Sequence, residues 1–294
     1  MTDLEAHGAF AKLSDGTRVE ILRAIAEAER EDESLTGMPT LSFSELYERV
    51  GATNSSGFAY HLDQLTGTFL RKTDEGYTFT YAGERVARTI LSGAFHESPT
   101  FEPVTVSGRC PVCEHDRFVA RPEEATLRIR CEGCEQGVAS YPLLPGLIAD
   151  REPREVVESL VMRMYAHLLQ ATDGTCAECG GPLDREVHET GVIPNDPFLV
   201  VARCEQCWMT YTSPISLWTF THPATIAFHW ERGIDIRTVS CWELFDHLLD
   251  DRCRVEQADE GFRVTFADDD AKLLLELSPD VSVEHATRMR TEVD

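Results

Sequence analysis

The sequence predicts an α+β protein: a helical N-terminal region closed by a β-hairpin, then two four-cysteine ribbons joined by a helix, then a small α+β tail. Three observations predict it. Apolar residues recur at helical spacing through much of the first hundred residues. Eight of the ten cysteines form paired C-x2-C knuckles. Short β-branched and aromatic runs flank those knuckles and return near the C-terminus. The expected boundaries are 1–97 for the N-terminal domain and 98–294 for the cysteine-bearing region. The latter divides into a first ribbon near 106–145, a helix over 152–171, a second ribbon near 173–214 and a tail over 215–294.

From Phe10 the chain reads FAKLSDGTRVEILRAIAEAERE. Val19, Ile21, Leu22 and Ile25 follow a Ser14-Asp15 start signal and give a first long amphipathic helix. Residues 33–41 carry Ser, Thr, Gly and Pro and read as a loop. Ser42 and Glu45 form a capping box for the short helix SELYERV, which Gly51 ends. ATNSS then turns the chain into a second helix, GFAYHLDQL, with Phe58, Leu62 and Leu65 on one face, so the pair reads as a helix-turn-helix. FLRKT and YTFT, separated by Asp74-Glu75-Gly76, form a hairpin in the position of a wing. Ala82 to Phe95 gives a further helix, apolar at Val86, Ile90 and Leu91, able to pair with its copy in a dimer.

On the text LSDGTRVEILRAI, SFSELYERVGATNSSGFAYHLDQL and the hairpin behind it, the first third of the chain resembles the ArsR-type winged-helix transcriptional regulators. The resemblance implies a cytoplasmic dimer that binds double-stranded DNA with the second helix of the motif in the major groove. With the Phe58/Leu62/Leu65 stripe turned inward, Ser55, Ser56, Tyr60 and Gln64 are candidate DNA contacts, with Asp63 beside them. Arg71 and Lys72 on the wing, and Arg85 and Arg88 on the following helix, are candidate phosphate contacts. His61 lies next to the core stripe and reads as half-buried. Some ArsR-type proteins sense metals through winged-helix cysteines, but residues 1–109 contain none, so that property is not carried over.

The knuckles Cys110/Cys113 with Cys131/Cys134, and Cys176/Cys179 with Cys204/Cys207, are two candidate metal sites. A C-x2-C turn brings two sulfurs to one side of a tight loop, and two such turns joined by a hairpin complete a tetrahedron, the pattern of a structural zinc ribbon. Intervening loops of 17 and 24 residues suit that pattern. Disulfides and a rubredoxin-like iron site are the competitors, and cross-braced pairing would have to bridge 41 residues between Cys134 and Cys176. Two Zn2+ ions held by four thiolates each leave no coordination position for a reacting water, so catalysis at the metal is disfavoured. Between the ribbons, Val156, Val157, Leu160, Val161, Met164, Tyr165, Leu168 and Leu169 form a stripe on a helix starting at Pro153 that docks both ribbons.

Beyond the second ribbon, His222-Pro223 starts the helix ATIAFHWERG and Ser240/Glu243 cap WELFDHLL. RCRVEQ, FRVTFA and AKLLLEL read as three strands. Cys241 and Cys253 belong to neither quartet. They read as free buried thiols, with a redox pair or a third metal site using His222, His229 or His247 as the alternative.

Composition bears on the setting. The net charge of -24 arises from 51 acidic and 27 basic residues, of which only Lys12, Lys72 and Lys272 are lysines. Dense carboxylate with few lysines fits a halophilic cytosol, where self-repulsion is screened within roughly 3 Å at 1 M salt. Residues 54–93 are locally neutral, with Arg71, Lys72, Arg85 and Arg88 against Asp63, Asp74, Glu75 and Glu84. The helix expected to read DNA has no lysine or arginine. In concentrated salt counterion release contributes little, so affinity would rest on hydrogen bonds, shape and dimerisation. No nucleotide-binding, catalytic-triad or H-E-x-x-H motif, no signal segment and no membrane-length apolar run occurs. The expectation is a non-enzymatic, DNA-binding regulator whose ribbons mediate interaction or effector response. The alternatives are a zinc-ribbon adaptor that contacts only protein, and a thiol redox protein using Cys241 and Cys253.

Overall fold

Residues 3–31, 39–246 and 252–290 are described by the computed structural model. They divide into one unit of residues up to Ser98 with Leu144–Gly146, and another of Pro99–Leu143 and the residues from Leu147 onward. Most of the loop read over 33–41, and His247, lie outside the described residues.

In the first unit, helices α1 (Asp3–Ala11), α2 (Gly16–Glu31), α3 (Phe43–Val50) and α4 (Ser55–Leu65) are followed by strands β1 (Leu70–Lys72) and β2 (Tyr77–Phe79) and helix α5 (Tyr81–Leu91). Local chemistry sets the boundaries. The Ser42 hydroxyl accepts from the Glu45 amide at 3.3 Å while the Glu45 carboxylate accepts from the Ser42 amide at 2.8 Å. Gly51, at φ 65°, closes α3. The Asn54 side chain then accepts from the Ser56 and Gly57 amides and starts α4 only four residues after α3 ends. Ile21, Leu22 and Ile25 of α2, Leu46, the stripe Phe58/Leu62/Leu65, and Leu70, Phe79 and Ala87 fill one core. Phe58 stands edge-on to both Phe43 and Tyr47, at 5.3 and 5.4 Å between ring centres.

Two details depart from expectation. The α1 segment DLEAHGAFA has no apolar stripe, and periodicity could not find it. α5 stops at Leu91 rather than Phe95, because Ser92 caps it and Gly93 turns the chain at φ 77°. The hairpin also gains a third row, since Leu41 and Tyr77 exchange both backbone hydrogen bonds at 3.0 and 2.8 Å.

The second unit opens with an antiparallel sheet of β3 (Val104–Ser107), β4 (Arg117–Glu123), β5 (Thr126–Cys131) and β6 (Gly137–Pro142), paired in chain order. The short helix α6 (Pro145–Ile148) and the long helix α7 (Pro153–Thr172) lead to a second antiparallel sheet, β7 (Leu183–Glu189), β8 (Phe198–Cys204) and β9 (Thr210–Pro214). Then come α8 (Ile215–Trp218), a 3-10 turn (Thr219–Thr221), α9 (Pro223–Trp230) and a four-stranded meander. Its strands are β10 (Cys253–Gln257), β11 (Phe262–Ala267), β12 (Ala271–Leu277) and β13 (Val283–Arg290).

One core runs through this unit, because alternate residues of each sheet point inward: Phe118, Ala120, Leu127 and Ile129 from the first, Val200 and Ala202 from the second, Val264, Leu273 and Leu275 from the meander. Val157, Leu160 and Val161 of α7 belong to the same core. The stripe is narrower than read: Met164 and Leu168 pack in part, whereas Leu169 is 50% exposed. β13 is the fourth strand where three were expected. Its text VEHATRMR is almost wholly exposed, so no hydrophobic alternation marks it. Among the described residues no helix is long and apolar enough to cross a membrane.

Candidate metal centres and the exposed face of the helix-hairpin unit

The four knuckles share one backbone design. In each, the first cysteine accepts at its carbonyl from the residue four positions on: Glu114 to Cys110 at 2.9 Å, Glu135 to Cys131 at 3.1 Å, Gly180 to Cys176 at 2.9 Å and Trp208 to Cys204 at 3.0 Å. Each of those donors lies in the left-handed region, at φ 58°, 60°, 74° and 62°. The first cysteine's own amide closes the turn on the carbonyl five residues later, of His115, Gln136, Gly181 and Met209. Only one of the four left-handed positions is a glycine. Strain of order 1 kcal/mol at each of the other three is tolerated where surrounding bonds fix the turn.

This geometry gathers the sulfurs. Within each quartet the four lie within 4.8 Å of one another. Cys110 and Cys134 are 3.7 Å apart and Cys113 and Cys131 3.5 Å; the second site repeats this with Cys176–Cys207 at 3.7 Å and Cys179–Cys204 at 3.5 Å. A tetrahedral ion held at about 2.3 Å separates its thiolates by roughly 3.8 Å, so the residues fit such an ion. Amides point at the sulfurs as well, including Gly133 to Cys131 at 3.3 Å and Gly181 to Cys179 at 3.4 Å. In every knuckle the first cysteine is buried and the second exposed. No disulfide joins any of them. The two quartets are compatible with two structural metal sites, each closed by its own four thiolates.

The second site has a feature with no sequence signal. The Tyr211 hydroxyl accepts from the Ala177 amide at 3.0 Å and lies 3.5 Å from Cys176 Sγ. Against the raising effect of burial, this hydroxyl and the Cys179 and Glu178 amides pull the Cys176 thiol down to about 6.

On α4, Ser55, Ser56 and Asp63 are exposed, Tyr60 is 59% exposed, and Gln64 is half-buried. Phe58, Leu62 and Leu65 turn the opposite way, into the core. His61 is half-buried, with Nδ1 3.6 Å from an Asp15 carboxylate oxygen. Arg71 and Lys72 are exposed on β1, the Lys72 amine 5.7 Å over the Tyr77 ring, and Arg85 is exposed on α5. Arg88 differs from them. Its guanidinium is engaged by Glu29 at 2.8 Å and Glu84 at 3.0 Å, which raises its pKa and leaves it less available to a phosphate.

Of the remaining cysteines, Cys253 is buried and Cys241 half-buried. Burial pushes the Cys241 thiol up to about 12 and Cys253 well above its ordinary range. His222 accepts from the Ala224 amide as the cap of α9, and His229 is ringed by Phe220, Phe228 and Phe266. Neither histidine lies in a metal-sized cluster among the described residues. Near Cys253, the buried Asp196 accepts from the Ser216 amide at 2.8 Å, and desolvation pushes its carboxyl up to about 6.

Two family models match the chain. One, described as Domain of unknown function (DUF7351), matches residues 107–283 and so spans both cysteine quartets, α7 and most of the tail. The other, described as Domain of unknown function (DUF7347), matches residues 6–90, which hold α2, α3, α4 and the hairpin with most of α1 and α5. No curated protein and no solved structure matches.

Proposed function

The chain belongs to the family described as Domain of unknown function (DUF7351), and we propose that it is a DNA-binding transcriptional regulator whose C-terminal region is held by structural zinc. The observation that carries the reading is the N-terminal order of two short helices, a tight capped turn and a hairpin bearing Arg71 and Lys72, with α4 core-facing on one side and polar on the other. That order supports reading the unit as a winged helix-turn-helix similar to the ArsR type, with α4 entering the major groove. Ser55, Ser56, Tyr60 and Gln64 contact the bases or backbone there, and Arg71, Lys72 and Arg85 the phosphates; Arg88, tied to two carboxylates, is left out. Exposed Phe10, Tyr81, Leu91 and Phe95 provide apolar surface for a homodimer.

Zinc suits eight thiolates in two tetrahedral sets, and closed coordination gives it a folding role instead of a catalytic one. The raised thiols of Cys241 and Cys253 hold little thiolate at neutral pH, which argues against redox or nucleophilic chemistry there.

The test is duplex binding by the zinc-loaded protein in molar KCl, with Arg71→Glu/Lys72→Glu as the paired variant. Selective binding of a subset of genomic fragments, lost in the variant, is the expected result. Equal, weak binding of all fragments would remove the regulator reading. One observation favours a second reading, an adaptor that contacts protein through the ribbons: Trp208 stands 78% exposed at a knuckle tip. Retained DNA occupancy with loss of a protein partner on Trp208→Ala would give that surface its own role.

A further inference from the structure

The two ribbons leave a cavity between them that the metal sites do not use. It measures about 240 Å³ and lies between β6 of the first ribbon and β9 of the second, roofed by α7 and by residues 236–245. β6 and β9 are topologically equivalent, each being the strand that leaves the second knuckle of its ribbon. Native cores close voids down to about the size of a water molecule. A dry apolar cavity of about 150 Å³ already accepts a benzene-sized guest. The space here is large enough for a bicyclic one and too small for a drug-sized ligand.

Its lining states what would fit. No lysine, arginine, aspartate or glutamate lines it among the described residues. Aromatic walls come from Tyr165, Tyr211, Trp218 and Phe245, and the thioethers of Met164 and Met209 supply adaptable packing against a flat ring. Ser140, Thr210, Thr212 and Ser213 bring small hydroxyls to the lining, and within it the Tyr141 hydroxyl is hydrogen-bonded to His167 Nδ1, with the Arg163 guanidinium beside it. Burial pushes Tyr141 up to about 12 and lowers His167, so at neutral pH both partners are uncharged. When Tyr141 donates to His167 Nδ1, its oxygen keeps lone-pair capacity for a guest that donates.

We propose that this cavity is a binding site for a small, uncharged bicyclic aromatic molecule bearing one hydrogen-bonding group, which stacks within the aromatic walls and bonds to the Tyr141–His167 pair. Such a guest would join the two metal-held ribbons through their equivalent strands. The site belongs to the C-terminal unit alone and stands whether or not the N-terminal unit binds DNA.

The probe is 5-fluoroindole, followed by 19F NMR on the full-length zinc-loaded protein in molar KCl, beside its N-methyl analogue, which cannot donate. Saturable binding is expected, with intermolecular contacts to the Met164 and Met209 methyl groups. Tyr141→Phe should weaken 5-fluoroindole by about fivefold and leave the N-methyl analogue within about twofold, a split that a general loosening of the fold would not produce. Leu168→Trp, which fills the space, should weaken both by at least about tenfold while two metal ions per chain remain bound. No saturable binding up to the probe's solubility, or binding with no contact to Met164 or Met209, would overturn the proposal. So would identical losses for both probes in Tyr141→Phe. Should Leu168→Trp lose its metal, the Tyr141→Phe comparison and the methyl contacts decide alone.

Discussion

Asp196 and Trp208 show at single residues how this chain departs from its own lowest-energy choices. Asp196 is 2% exposed, and burial raises its carboxyl from 3.8 to about 6. A carboxyl raised in the folded state binds its proton more tightly there than when unfolded. Its contribution to stability is therefore greatest below about pH 4 and declines as the pH rises through about 6, by about 3 kcal/mol in all. Asp196→Asn keeps an acceptor for the Ser216 amide and removes the titration. Urea denaturation at pH 4 and pH 7 should find the variant gaining on the parent over that interval, and an unchanged difference would refute the buried, titrating carboxyl. Trp208 carries a bulky side chain at φ 62° where the matching position of the second site's other knuckle is Gly180. Trp208→Gly should raise thermal stability by up to about 1 kcal/mol. A loss of stability would mean that the exposed ring is packed in the folded protein.

At the scale of elements, the two faces of α4 make opposite demands. Leu62 is 1% exposed and Tyr60 59%. Leu62→Ala should cost about 2–5 kcal/mol in chemical denaturation, whereas Tyr60→Ala should cost well under 1 kcal/mol and weaken duplex binding. Reversed effects would mean that the helix is turned the other way. What could be read in the sequence follows from the same contrast. Phe58, Leu62 and Leu65 have one-sided burial, Ser42/Glu45 has capping chemistry, and the cysteines have a fixed spacing, so all were legible. α1, with no stripe, and β13, exposed along nearly its whole length, carried no pattern to find. Arg88 looked like a free cation because Glu29 lies 59 positions away in the chain and meets it only after folding. Tyr141, His167 and Tyr211 were invisible for a related reason. Their partners come from separate elements, and neither a tyrosine in a strand nor a histidine in a helix has a spacing that reveals such a pairing.

For the molecule as a whole, metal and salt should act on different parts. Each quartet, loaded with zinc as proposed, would contribute roughly 10–16 kcal/mol of apparent folding free energy, and the core of the second unit is continuous through both ribbons. Chelation should therefore open residues from Pro99 onward to protease while the helical signal and protection of the first unit persist. Digestion of both units at the same rate would contradict separate stabilisation. Salt acts on the net charge of -24, whose self-repulsion weakens as screening shortens. The melting temperature should rise from 0.1 M to 2 M KCl.

The most direct measurement is genome-wide occupancy of the full-length protein in its host cell, compared with the Arg71→Glu/Lys72→Glu variant at matched abundance. Discrete promoter sites sharing a two-fold-related sequence, lost in the variant, are the expected result for a dimeric winged-helix regulator. Absence of enrichment in the parent, or identical occupancy in the variant, would contradict it.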